Sequence, residues 1–214
     1  MKKHIRPALD ITIALMLPLL MMYSLTGEAF HEALGITVFA LFIAHNILNA
    51  GWYRGLKSGR FDAFRVFRTA LNALLLVYVF LEPLTGIILS RDIFRAISLP
   101  GLTDEARILH LAGAYWGYIL SSLHAGTHLG RLFRALGQKN RPAFTAVCAA
   151  AAVLCVCGCF AFFRLGFPGC LAGRLNYSVF VYNGPAFWVS CEYISVMALF
   201  MAAGALCRKA LSSR

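Results

Sequence analysis

Charge is excluded from most of this chain. Six runs, 9–25, 33–50, 69–89, 108–129, 143–163 and 185–206, are almost free of Lys, Arg, Asp and Glu, while most of the charge sits in the connections between them. Each run is near the ~20 residues needed to cross the hydrocarbon of a bilayer. Only 14% of the residues are charged against 60% hydrophobic, and the mean hydropathy is +0.71. An ordinary soluble domain of this length carries roughly twice that charge. Lys2 and Lys3 ahead of the first run also fit a secretory leader. No small-residue cleavage pattern follows and the second run begins at once, so the first run is read as a span. With no long repeat, no low-complexity segment and no sizeable soluble stretch, the expected architecture is all-α: a polytopic bundle of six transmembrane helices.

The basic residues orient such a bundle. Fifteen of the 20 Lys and Arg fall at the N-terminus, in 54–68, in 131–141 and in the tail, and five (Arg91, Arg95, Arg107, Arg164, Arg174) fall on the other side. The positive-inside rule then puts both termini in the cytoplasm. The formal net charge of +11 needs no nucleic-acid partner. Anionic lipid of the inner leaflet is the surface it would meet.

Two histidine pairs stand out inside these runs. His31 and His45 are 14 residues apart in the second, and His110 and His124 are 14 apart in the fourth. Fourteen residues of α-helix turn through about 1400°, roughly 40° short of four revolutions, and rise about 21 Å, so each pair shares one face. The second and fourth spans run in the same direction across the membrane. His31 is therefore matched in depth with His110, and His45 with His124. A lone histidine at a helix end is usually a hydrogen-bonded contact residue. Four at matched spacing within spans point to function, and two facing pairs at two depths are what two stacked b-type haems require. A neutral imidazole binds iron, and two of them close both axial positions, which suits one-electron carriage. His128, one turn beyond His124, is the alternative inner ligand.

Other residues would complete such sites. Gly35, Gly113 and Gly117 lie on the histidine-bearing faces, where a missing side chain would let a flat macrocycle approach; Gly113 and Gly117 equally form a small-residue helix contact. Arg91 and Arg107 could meet outer haem propionates, and Arg54 and Arg131 inner ones. Anchoring at the membrane border is an equal reading of all four, and Trp52, Tyr53 and Trp188 read as interfacial belt residues rather than redox stations.

The stretches Leu25-Thr26-Gly27-Glu28-Ala29-Phe30-His31-Glu32, His45-Asn46-Ile47-Leu48-Asn49-Ala50-Gly51-Trp52-Tyr53, and Leu109-His110-Leu111-Ala112-Gly113-Ala114-Tyr115-Trp116-Gly117 with Ser122-Leu123-His124 resemble the flavinylation-associated cytochromes. These are small bacterial membrane proteins, more distantly similar to ferric-reductase-like and b-type cytochromes. The resemblance covers residues 5 to about 130. It implies a bacterial plasma-membrane di-haem relay with His31, His45, His110 and His124 as iron ligands. Electrons would come from a membrane quinol or an inner dehydrogenase and pass to an extracytoplasmic flavin-bearing or other redox partner. Residues 1–130 would then form a di-haem four-helix domain. Residues 131–214 would add two further spans with a Gly/Pro/aromatic outer loop.

Several features lie outside that pattern. Cys148, Cys155, Cys157 and Cys159 share the fifth run, but a C-x-C-x-C helix sends its thiols in diverging directions, so they read as small packing residues. Cys170 and Cys191 are both expected on the outer side, where a bridge could form. The loop 164–185 carries Tyr177, Phe180 and Tyr182 among turn residues, either to dock an acceptor or to lid the bundle. Glu82 and Glu192, in the outer leaflet, could take protons from a quinol or serve structurally. Two other readings remain open: a self-contained ferric, superoxide or quinol oxidoreductase, with quinone as a further cofactor, and a permease whose histidines bind a transition metal directly.

Overall fold

The structure, a computed structural model, describes residues 2–59, 61–97, 99–174 and 185–212, the side chains of 2–4, 100 and 131–135 excepted. Among these residues there are helices and turns and no strand, the economical answer to a backbone that must satisfy its own hydrogen bonds in lipid. The order is α1 (Lys2–Met21), α2 (Tyr23–Thr26), α3 (Glu28–Leu48), α4 (Gly51–Gly55), α5 (Ala63–Leu89), two 3-10 turns, α6 (Thr103–Lys139), α7 (Arg141–Arg164), α8 (Phe167–Leu171) and α9 (Ala186–Ser212).

The breaks have local causes. Gly27 sits at φ 82°, ψ 167° between α2 and α3, a region essentially reserved for glycine. Asp62 caps α5 by accepting a hydrogen bond from Arg65 N at 2.7 Å, and Asn140 caps α7 by accepting from Ala143 N at 3.0 Å. Both follow the ordinary N-cap rule. Gly166, left-handed at φ 68°, turns the chain from α7 into α8.

Among the described residues four helices are long and apolar enough to cross a membrane: α3, α5, α7 and α9. That is fewer than the six runs of the sequence. Helix α1 spends its first half on Lys2, Lys3, Arg6 and Asp10 and breaks at Met22. In α6 the same histidines, glycines and serines that attract attention dilute the apolar character, and charged residues occupy both ends of its 37 residues.

Helix α6 is the centre of the molecule, packed tightly by α5 on one side and α9 on the other, with α7 against α9. The main core lies there. Tyr115, Tyr118 and Ile119 of α6 meet Ala161 of α7, Phe167 and Cys170 of α8 and Val189, Tyr193, Val196 and Met197 of α9. Glycines make this packing possible. A Cβ on Gly126 would land on the Met201 backbone, one on Gly204 on the Leu123 backbone, and one on Gly158 on the Ser195 backbone. Small residues facing a neighbouring helix allow such close approach. The helices beyond residue 130 are thus among the closest partners of α6. On the other side α1, α3, α5 and α6 close a ring, α1 beside α3, α3 beside α5, α5 beside α6 and α6 beside α1. The diagonal between α3 and α6 has almost no close backbone approach.

Candidate functional site: two facing imidazole pairs

The four histidines lie across that open diagonal. The His31 ring of α3 faces the His110 ring of α6 with centroids 6.1 Å apart. The His45 ring faces His124 with centroids 6.5 Å apart. The structure therefore brings together the two pairs that depth and spacing match. His128 is exposed and lies 5.0 Å from the His124 ring, on the same helix.

Each pair is furnished with second partners on other helices. His110 Nδ1 lies 3.0 Å from Thr85 Oγ1 and 3.2 Å from Glu82 Oε2, both on α5. His124 Nδ1 lies 2.9 Å from Asn72 Oδ1, also on α5. His45 Nδ1 lies 2.6 Å from Asp10 Oδ1 of α1. With Nδ1 donating to these oxygens, Nε2 keeps its lone pair. This is the form in which a histidine binds a metal, and a hydrogen-bonded second partner is its usual companion. His31 differs: its Nδ1 is buried without a hydrogen-bond partner, and the ring rests edge-on against Tyr23 at 5.2 Å.

The separations can be tested against an iron porphyrin. An imidazole nitrogen binds such a metal at about 2 Å and the ring centroid lies about 1 Å further, so two rings sharing one ion have centroids about 6 Å apart. The observed 6.1 and 6.5 Å fit. Rings on a common axis can twist freely, so the 77° interplanar angle of both pairs is no obstacle. Two nitrogens suit an ion that brings its own equatorial ligands. Among the described residues no group of three or more His, Cys, Asp or Glu side chains is placed to hold a bare ion.

The structure distributes the other expected site residues differently. Gly113 and Gly117 face α5: a Cβ on Gly113 would collide with Glu82 Oε1, and one on Gly117 would touch Tyr78 at 3.9 Å. They serve the α5–α6 approach. Gly35 has open space beside it, with nothing within 4 Å of an added Cβ. Gly86 of α5 is the glycine that lies against a histidine, where a Cβ would meet His110 Cε1 at 3.5 Å. Arg91 points outward, with a side chain 74% exposed, and pairs with Glu28 at 3.8 Å. Arg107 pairs with Asp104 at 3.7 Å. The side chain of Arg131 lies outside the described residues, as do Tyr177, Phe180 and Tyr182 of the outer loop. Glu192 is engaged by the Arg164 guanidinium through two hydrogen bonds. The bridge considered between Cys170 and Cys191 is not formed, and both thiols are free. The reason is local: Cys170 is buried in the core that fixes α8 against α6 and α9.

Asp10, Asn72, Thr85 and Gly86 were not singled out from the sequence, and Glu82 was not tied to His110. A signal existed for three of them. Asp10, Asn72 and Glu82 are polar groups within or at the edge of apolar runs, at depths that match a histidine.

Glu32 holds the outer end of the slot. Its carboxylate accepts from Ser90 Oγ at 2.8 Å and from the backbone N–H groups of Arg91 at 3.0 Å and Ile93 at 2.8 Å. One side chain next to His31 thus fastens α3 to the end of α5. No family model, no curated protein and no solved structure matches the chain.

Proposed function

We propose that this chain is a membrane electron conduit that holds two b-type haems, one between His31 and His110 and one between His45 and His124. The observation that carries the reading is the pair of facing imidazole sets. They stand 6.1 and 6.5 Å apart across a diagonal where the backbones hardly meet, with Nδ1 of three rings engaged by Asp10, Asn72 and Glu82 with Thr85. When bound, each haem would supply one-electron redox chemistry, and one imidazole from α3 and one from α6 would hold it. The chain's own residues do the positioning. Asp10, Asn72 and the Glu82–Thr85 pair fix the tautomer and ring plane of their histidines and raise ligand basicity. Glu32 keeps His31 in register with His110 by tying α3 to α5. The surrounding helices keep the slot apart from water.

The finer arrangement belongs to the same proposal. Helices α1 and α6 join α3, α5, α7 and α9 as spans, which makes six, with both termini in the cytoplasm of a bacterial cell and His45 and His124 on the inner side. Electrons enter from a quinol or an inner dehydrogenase and leave to an extracytoplasmic flavin-bearing or other redox partner. Support for that direction is the motif resemblance to flavinylation-associated cytochromes around His31, His45, His110 and His124.

The test is the visible spectrum of the purified full chain. A red preparation with a low-spin b-type spectrum and about two haems per chain is expected. A colourless, folded protein that binds a transition metal stoichiometrically would replace the conduit with a permease. Reduction by quinol and turnover with ferric iron or superoxide, without a partner protein, would favour a self-contained oxidoreductase.

A further inference from the structure

At the inner end of the histidine slot, between α4 and the start of α5, lies a cleft of about 320 Å³ lined by Gly51, Trp52, Gly55, Arg65, Arg68 and Thr69. Its two guanidinium groups are in different states. Arg65 is spent on the fold: Nη2 donates to Gly55 O at 2.6 Å, and the group lies over the Phe61 ring at 4.3 Å. Arg68 is not. Its Nε is buried without a hydrogen-bond partner, and no carboxylate pairs with it among the described residues. A buried guanidinium donor without an acceptor is costly, and such groups are nearly always satisfied. The Arg68 side chain lines the cleft. Two wall positions are glycines, and the Thr69 hydroxyl stands beside Arg68.

Register sharpens the identity of that acceptor. Asn72, which holds His124, lies four residues after Arg68 and three after Thr69, so the three share one face of α5. Arg68 is therefore one helical turn, about 5 Å, from the inner histidine pair along the axis. It also lies in the basic 54–68 segment, where an inner-leaflet headgroup would reach the protein.

We propose that this cleft is an oxyanion site, in which a carboxylate or phosphate is gripped by the Arg68 guanidinium and the Thr69 hydroxyl. A guanidinium fork matches either group through paired hydrogen bonds. Two sources have this chemistry: a propionate of the porphyrin held by His45 and His124, and the headgroup phosphate of an anionic phospholipid. The first source rests on the haem reading above; the second does not.

The experiment uses the full chain in nanodiscs of equimolar phosphatidylglycerol and phosphatidylcholine, as wild type, Arg68→Gln and Arg68→Lys. Haem affinity is measured by titration, and retained phosphatidylglycerol by native mass spectrometry. Arg68→Gln is expected to weaken one of the two about tenfold, the scale of losing a supporting ligand contact. Arg68→Lys, which keeps the charge and loses the fork, should weaken the same one by a smaller factor. Loss of haem affinity alone names the propionate, and loss of phosphatidylglycerol alone names the lipid. Unchanged haem and lipid binding in a folded Arg68→Gln protein overturns the proposal. If Arg68→Gln does not fold, Arg68→Lys decides, and wild-type values for both readouts overturn it. A wild-type protein without haem would sink the conduit while leaving the lipid measurement fully readable.

Discussion

Where α6, α7, α8 and α9 meet, backbones touch; where α3 faces α6, side chains reach across a gap. In the first region Gly126, Gly158 and Gly204 sit against carbonyl groups of neighbouring helices, and Phe167 and Val196 are 0% exposed. In the second, α3 buries only Leu34; beside an edge-on contact of Phe39 with Phe80 of α5, polar groups carry its contacts: His31 to His110, His45 to Asp10, Glu32 to the end of α5. On the proposed reading, the first region is rigid by itself and the second is completed by the haems.

Substitutions can separate the halves. The largest effect on the fold is expected from Phe167→Ala. Phe167 touches Tyr115 and Phe162, and its removal should cost about 3 to 5 kcal/mol, read as a lowered unfolding midpoint. Because Phe167 packs in the core between α6, α7 and α9, haem stoichiometry in the surviving folded protein should not change. Asn72→Ala should do the reverse. It should leave the unfolding midpoint nearly in place and weaken haem binding about 10- to 100-fold through loss of the His124 partner, as followed by haem titration. Glu32→Gln is expected to cost about 1 kcal/mol, since a charged acceptor of several hydrogen bonds becomes a neutral one; faster amide exchange at Arg91 and Ile93 would report it. Smallest is Gly35→Ala, at a stability change of a few tenths of a kcal/mol, because nothing lies near the added methyl. Gly35→Leu sharpens the contrast further: unchanged helicity with reduced haem content marks the gap as the cofactor slot, whereas unchanged haem content places the porphyrin elsewhere.

The helical class and the matching of histidines were legible in the sequence because both depend on periodicity along single helices, and periodicity survives without knowledge of neighbours. Fourteen residues fix a face and a depth whatever the helix packs against. What could not be read was rotation. Gly113 and Gly117 lie against Glu82 and Tyr78 of α5, the same helix whose Glu82 and Thr85 meet His110, and which helix that face meets is set by tertiary packing. For the same reason Asp10, Asn72 and Thr85 were overlooked: each reaches a histidine on another helix. The number of apolar helices also shifted. The histidines, glycines and serines of α6 lower its hydropathy, so the helix at the centre of the candidate site is among the least membrane-like by composition. The free thiols of Cys170 and Cys191 could not be foreseen from the side of the membrane expected for both, since burial of α8 decides where Cys170 points.

Haem content of two double variants tests the central claim most directly. In His31→Ala/His110→Ala and in His45→Ala/His124→Ala, the pyridine haemochrome assay should find about one haem per chain against about two in the wild type. The remaining low-spin spectrum should differ between the two variants, because each keeps a different site. Complete haem loss in either variant while the α6–α9 core stays folded, or no loss in either, would contradict two independent imidazole-held porphyrins.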